Sequence, residues 1–126
     1  MNLGFKQQFV PKIIEGTKIH TIREDHSDRW GKGATIHFAT GIRTKNYKCF
    51  KQSECVSTQQ IHIQWVRHES DRSMDIMNVE IDGRMLNWKE IKELAINDGF
   101  DNVEGFMEWF KENFNGKLIH WTEKRY

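Results

Sequence analysis

Much of what marks familiar enzyme classes is missing from this chain. No apolar run approaches the ~20 residues that a bilayer-spanning helix needs, and Met1–Phe5 lacks the hydrophobic region of a secretory signal. A cytoplasmic protein without membrane contact is the expectation. Only two cysteines occur in 126 residues, Cys49 and Cys55. Without an export signal they do not suggest a disulfide scaffold, and Cys-x5-Cys is not a usual zinc spacing, so two buried or half-buried thiols are expected. Walker and dinucleotide glycine patterns are absent, and Gly31-Lys32-Gly33 is too short to cradle a phosphate. The six histidines are scattered, with no His-Glu-x-x-His, no deaminase cysteine pair and no nucleophile elbow. His20, His37, His62 and His120 fall in predicted strands, where a hydrogen-bonded structural role is expected. Neither a metal nor a cofactor is implied. Repeats, low-complexity segments and interior linkers are missing too, which leaves one domain over residues 1–126.

The net charge of +1 hides an asymmetry. Residues 1–72 hold 12 Lys and Arg against 7 Asp and Glu, whereas residues 73–126 hold 7 against 11. A clamp around a long duplex is usually more basic overall. A local basic cleft for a few nucleotides or one nucleoside fits these numbers, as does an unevenly charged solvated surface.

What is present is pattern. Asn2–Gln8 reads as a first strand with Leu3 and Phe5 inward, and Phe9–Glu15 as a brief helix with Pro11 in its first turn and Gly16 as its left-handed cap. Ile19–Glu24 reads as a strand that puts Thr21 and Arg23 on one face, with Lys18 leaning over the same site from the turn. A polar loop, Asp25–Trp30, leads to a strand over Ala34–Thr40. The longest period-two signal runs through Glu54–Val66, with Ile61, Ile63 and Trp65 alternating against His62 and Gln64. Asp75–Ile81 follows, closed by a tight turn at Asp82-Gly83. Asn87-x-x-Glu90 and Asp101-x-x-Glu104 read as capping boxes opening helices over 87–98 and 102–114. The second helix presents Val103, Phe106, Met107, Phe110 and Phe114 to the core, Gly116 ends it, and Lys117–Thr122 closes the chain as a strand. The fold class is α+β: a mostly antiparallel barrel or sandwich of about five to six strands, with a short early helix and a late helical pair.

The stretch Gly16-x-Lys18-x-x-Thr21-x-Arg23 after a short helix resembles the signature of the ASCH family of PUA-like β-barrel modules. Trp30–Phe38 resembles that family's glycine turn into its next strand, and Leu94–Phe100, followed by Glu104 and Phe106, its late helical segment. The three blocks stand in the family's order across most of the chain. The resemblance implies a PUA-like barrel. Members of this type include small bacterial N4-acetylcytidine amidohydrolases, whose proposed catalytic set is a lysine, a threonine and a glutamate. Lys18 and Thr21 match the first two by motif. Asp98 falls nearest the acid but is one methylene shorter, and Glu93 is the other candidate.

Three functional expectations follow. Lys18, Thr21 and Arg23 suit an anionic or polar ligand, so a module that binds RNA or a modified nucleoside comes first. Arg43, Lys45 and Lys48, with Lys51 beyond and Tyr47 and Phe50 between, either track a phosphate backbone or form a solvated hairpin. Trp30, Tyr47 and Phe100 are candidates to stack a base. Second is a metal-independent amidohydrolase in which Thr21 attacks and Lys18, its pKa lowered by Arg23 and burial, takes the proton while Asp98 positions it. Third is a protein-interaction module that uses the acidic helical half.

Overall fold

The period-two run around Ile61 and Ile63 becomes the spine of the molecule, with both residues buried and a partner strand on each edge. The computed structural model describes residues 1–68 and 71–126. Their order is β1 (Asn2–Gly4), a 3-10 turn (Gln7–Phe9), α1 (Val10–Glu15), β2 (His20–Arg23), β3 (Thr35–Thr40), β4 (Lys48–Glu54), β5 (Ser57–His68), β6 (Asp71–Ile81), β7 (Arg84–Met85), α2 (Trp88–Asn97), α3 (Val103–Trp109) and β8 (Phe114–His120). The fold is α+β. A five-stranded antiparallel sheet runs β2-β8-β5-β6-β7, and a three-stranded sheet runs β1-β3-β4 with β1 parallel to β3.

The sheets meet at a corner made by two adjacent residues. Cys55 N–H donates to Ala34 O in the smaller sheet, and Val56 N–H donates to His120 O in the larger, each at 2.8 Å. Aromatic rings fill the space between. Phe38, fully buried, stacks on Phe5 at 5.7 Å and meets the edge of Trp121 at 4.8 Å. Edge-to-face pairs of this kind add to the burial of large apolar area that holds the sheets together.

Several boundaries differ from the sequence reading. There are eight strands among the described residues rather than five or six. The additional ones are β4, an edge strand in the basic stretch without apolar alternation, and the two-residue β7. The first strand stops at Gly4, and the long Glu54–Val66 run is split by the corner at Cys55. The second late helix ends at Trp109, not 114. The indole Nε1–H of Trp65 donates to Phe110 O at 2.8 Å, taking an acceptor at the helix end, and Phe114 enters β8 opposite Ile63. The i, i+4 spacing of Phe110 and Phe114 therefore mimics a helical stripe; their rings still touch at 5.4 Å, but across a turn.

The cap of that helix is Asn102, whose side chain accepts from Gly105 N–H, while Asp101 pairs with Lys12. Gly116 does not end a helix; it lies inside β8, where a Cβ would come 2.5 Å from Arg23 O. Cys55 is buried as expected, but Cys49 is exposed on β4, and both thiols are free. The Asn87 capping box, the Gly16 cap at φ 85 and the Asp82-Gly83 turn form as read. No helix of the described residues is long and apolar enough to cross a membrane.

Candidate functional site

The site is assembled where three chain segments cross. After the Gly16 cap, Thr17 N–H and Lys18 N–H both bond Lys12 O, at 2.9 and 3.0 Å, which folds the chain back over α1. Ile19 N–H then donates to Asn97 O at 2.9 Å, docking the start of β2 on the end of α2. The next turn brings in Gly99 at φ 97, where a Cβ would lie 2.8 Å from Lys18 Cδ and 3.0 Å from Phe9 Cδ1. Only glycine meets both demands, left-handed backbone and contact with the lysine stem.

Lys18 is 2% exposed. Its Nζ donates to Asp98 O at 2.5 Å and to Asp98 Oδ1 at 3.3 Å, and lies 4.9 Å from the Phe9 ring centroid and 5.7 Å from that of Phe5. Burial pushes the Lys18 amine below its ordinary pKa; Asp98 pulls it upward without overcoming that, and Arg23 and Lys12 push it further down. Lys18, Thr21, Arg23 and Asp98 all line one cavity of about 410 Å³, whose apolar walls include Phe5, Phe9, Phe100 and Trp109. A concave, mostly apolar pocket with a few convergent polar groups is the usual form of a small-molecule site.

Thr21 and Arg23 share a face of β2, as the strand period requires. Arg23 Nε–H donates to Thr21 Oγ1 at 3.1 Å, Nη2–H donates to Gly4 O at 2.6 Å, and the guanidinium stacks 4.9 Å from the Phe5 ring centroid. The side chain thus bridges edge strand β2 to β1 of the other sheet. Burial lowers the Arg23 pKa, against the pull of Asp98, from a value so high that the group stays a cation. Thr21 Oγ1 accepts from this cation, and its own hydroxyl proton has no acceptor among the described residues.

Behind Asp98 lies a chain of hydrogen bonds that the sequence reading missed. A carboxylate only accepts, so the 3.1 Å contact between Asp98 Oδ1 and His20 Nδ1 fixes the proton on Nδ1. His20 Nε2 then accepts from the Tyr126 hydroxyl at 2.7 Å, and that hydroxyl accepts from Asn97 Nδ2–H at 2.9 Å. Burial pushes the His20 pKa below its ordinary value, against the pull of Asp98. One signal was available: His20 stands two residues after Lys18, the spacing that puts two side chains on one side of an extended segment. Nothing local pointed to Tyr126, which reaches the site through Gln59. Tyr126 N–H donates to Gln59 Oε1 at 3.0 Å, and Gln59 Nε2–H donates to the Tyr126 backbone oxygen at 2.8 Å.

The other candidate residues lie elsewhere. Arg43, Lys45 and Lys48 are exposed on the turn and edge strand after Ile42, itself a cavity residue. Tyr47 is also exposed, and its hydroxyl donates to Asn2 Oδ1. Trp30 is buried in the core away from the cavity lining, whereas Phe100 forms part of it. Glu93 is an exposed residue of α2 paired with Lys124 at 2.8 Å, so Asp98 is the acid beside Lys18. Among the described residues no group of three or more His, Cys, Asp or Glu is placed to hold a metal ion. No protein-family model, no curated protein and no solved structure matches the chain.

Proposed function

We propose that the chain is an ASCH-type domain that binds a single acylated nucleoside in this cavity and hydrolyses its amide. The observation that carries the reading is Lys18. A neutral amine has two N–H groups and one lone pair; Asp98 O and Oδ1 accept the two N–H groups, which leaves the lone pair for the cavity. A lysine desolvated between rings is the kind that serves as a general base.

The reaction balances with these groups. The Thr21 Oγ–H proton passes to Lys18 Nζ as Oγ bonds the acyl carbon. Arg23 Nε–H, already on Oγ1, eases loss of that proton, and as Oγ bonds the carbon the C=O electron pair moves onto the acyl oxygen. Collapse breaks the C–N bond, and Lys18 returns its proton to the leaving nitrogen. Water, deprotonated by the same lysine, then attacks the threonine ester; the acyl C–Oγ bond breaks, Lys18 returns the proton to Thr21 Oγ, and the carboxylic acid is freed. Phe100 and Trp109 offer aromatic faces for a flat base.

The Arg23 bridge and the corner at Cys55–Val56 support reading the two sheets as a PUA-like barrel. A second reading, retention of a modified nucleoside within RNA, is favoured by the exposed Arg43, Lys45 and Lys48 beyond Ile42. The test is acetate release from N4-acetylcytidine, with mass spectrometry of acid-quenched protein. An acetyl ester on the Thr21 peptide, absent in Lys18→Ala, is expected. Tight nucleoside binding without acetate or ester would leave the domain a binder.

A further inference from the structure

We propose that His20, oriented by Tyr126 and Asn97, is a positioning residue that sets how firmly Asp98 holds the Lys18 proton. The inference rests on the proposed use of Lys18 as a base and adds a group that the motif does not contain. Asp98 Oδ1 receives two donors, Lys18 Nζ at 3.3 Å and His20 Nδ1–H at 3.1 Å. Each donor to a carboxylate oxygen draws off part of the negative charge that the other sees. Without the second donor, Asp98 would offer Lys18 its undivided charge and pull harder toward the ammonium. Sharing the oxygen with a neutral imidazole weakens that hold while keeping the carboxylate in place.

The orientation of His20 is itself fixed. Its ring is fully buried, with Tyr126 OH donating to Nε2 and Asn97 Nδ2–H donating to that hydroxyl. Protonation of His20 at Nε2 would make the Tyr126 hydroxyl accept from both His20 and Asn97 and leave its own proton without an acceptor among the described residues, which favours an imidazole with its one proton aimed at Asp98. The charged and titratable groups around the pair are few. Lys18 faces Asp98 beside the end of α2, Arg23 on β2 and Lys12 on α1. His20 faces Asp98, Lys18, Tyr126 and, edge-on at 5.4 Å, the neutral His120 of β8.

The test has a readout independent of turnover. In wild-type protein labelled with 15N at histidine, His20 is expected as the neutral tautomer with its proton on Nδ1 from pH 5 to 8. An Nε2–H tautomer, or titration to imidazolium in that range, would overturn the proposal. In protein labelled with 15N at lysine Nζ, His20→Leu is expected to raise the Lys18 titration midpoint by about one pH unit. His20→Asn, which keeps an N–H near the position of Nδ1, should stay closer to wild type.

The acid limb of the pH–rate profile should move upward with the midpoint, lowering kcat about tenfold at neutral pH with recovery at higher pH. An unchanged Lys18 midpoint in folded His20→Leu would overturn the proposal; if that variant does not fold, the wild-type tautomer decides. Absence of turnover in the wild type would remove the hydrolase reading, and the tautomer and the lysine shift would still report on the coupling.

Discussion

Two buried lysines lie close to β2, and they behave in opposite ways. Lys18 and Lys117 are 2% and 7% exposed. Lys117 stands opposite Arg23 in the β2–β8 register and has two carboxylates: Asp25 at 3.1 Å and Asp28, with the Trp30 carbonyl at 3.2 Å. The Asp28 hydrogen bond raises the Lys117 pKa; burial pulls it down, and Asp25 adds to the upward push. Burial likewise pushes the Asp25 carboxyl up, but the N–H groups of Trp30 and Arg29, together with Lys117, hold it below its ordinary value. Lys18 has one carboxylate, shared with a histidine, and two phenyl rings, and burial prevails. The difference lies in both surroundings and counter-charge: Lys18 is enclosed by rings with one shared carboxylate, whereas Lys117 lies near the surface between two, one of them exposed. Lys117 pins the loop over 25–30 to the sheet, whereas Lys18 has its pKa pushed down by burial.

The largest expected effect separates the two by activity. Lys18→Met should cost amide hydrolysis about 10²–10⁴-fold, the usual contribution of a general base, and Thr21→Ala should match it because the proposed mechanism uses the two as a unit. Lys117→Met should leave steady-state turnover near wild type. Stability should sort them the other way. Denaturant unfolding of Lys117→Met should show a loss of about 2 kcal/mol, short of the ~3–5 kcal/mol of a fully buried pair because Asp28 is exposed.

Gly99→Ala should blur the contrast by displacing the Lys18 stem while straining the backbone. A melt should show a loss of about 1–3 kcal/mol, and an assay a reduced rate.

Smallest per unit of pH is the acid response. Burial lowers His120 to about 3, and His20 is lowered by the same cause. Below the ordinary value near ~6.5, the unfolded chain takes up protons that the folded chain refuses. Stability should therefore fall with pH from there toward 3 for His120, at most about tenfold in the folding equilibrium per pH unit per histidine. Denaturation series at pH 7 and pH 5 measure it.

The legible parts of this molecule were those written in local spacing. Ile61 and Ile63 announced a strand by alternation, and Asn87 and Glu90 announced a helix start by their spacing, which the reciprocal bonds bear out. Thr21 and Arg23 shared a face because strands repeat every two residues. Asp98 entered the site through the family resemblance, and 80 residues separate it from its lysine partner. The end of α3 was misread because Phe114 kept helical spacing while belonging to a strand. The Asp98–His20–Tyr126 chain was not legible because its members are 78 and 106 residues apart and meet only through sheet registry and the Gln59 clasp. Sequence spacing records what is near along the chain; the contrast between Lys18 and Lys117 depends on which acids, and which rings, tertiary packing delivers to each.

The most direct test of the account is to titrate both amines in one sample of wild-type protein labelled with 15N at lysine Nζ, assigned with Lys18→Met and Lys117→Met. Lys18 is expected to lose its proton below the ~10.4 of a free lysine and Lys117 above it. Folding linkage gives the same signs. The Lys117 contribution to stability is fully present below ~10.4 and is lost as pH rises through its higher folded value, whereas Lys18 makes stability increase with pH between its lowered folded value and ~10.4. A Lys18 midpoint at or above that of Lys117 would contradict the account, because a lysine held as tightly as the loop pin could not serve as the base for Thr21.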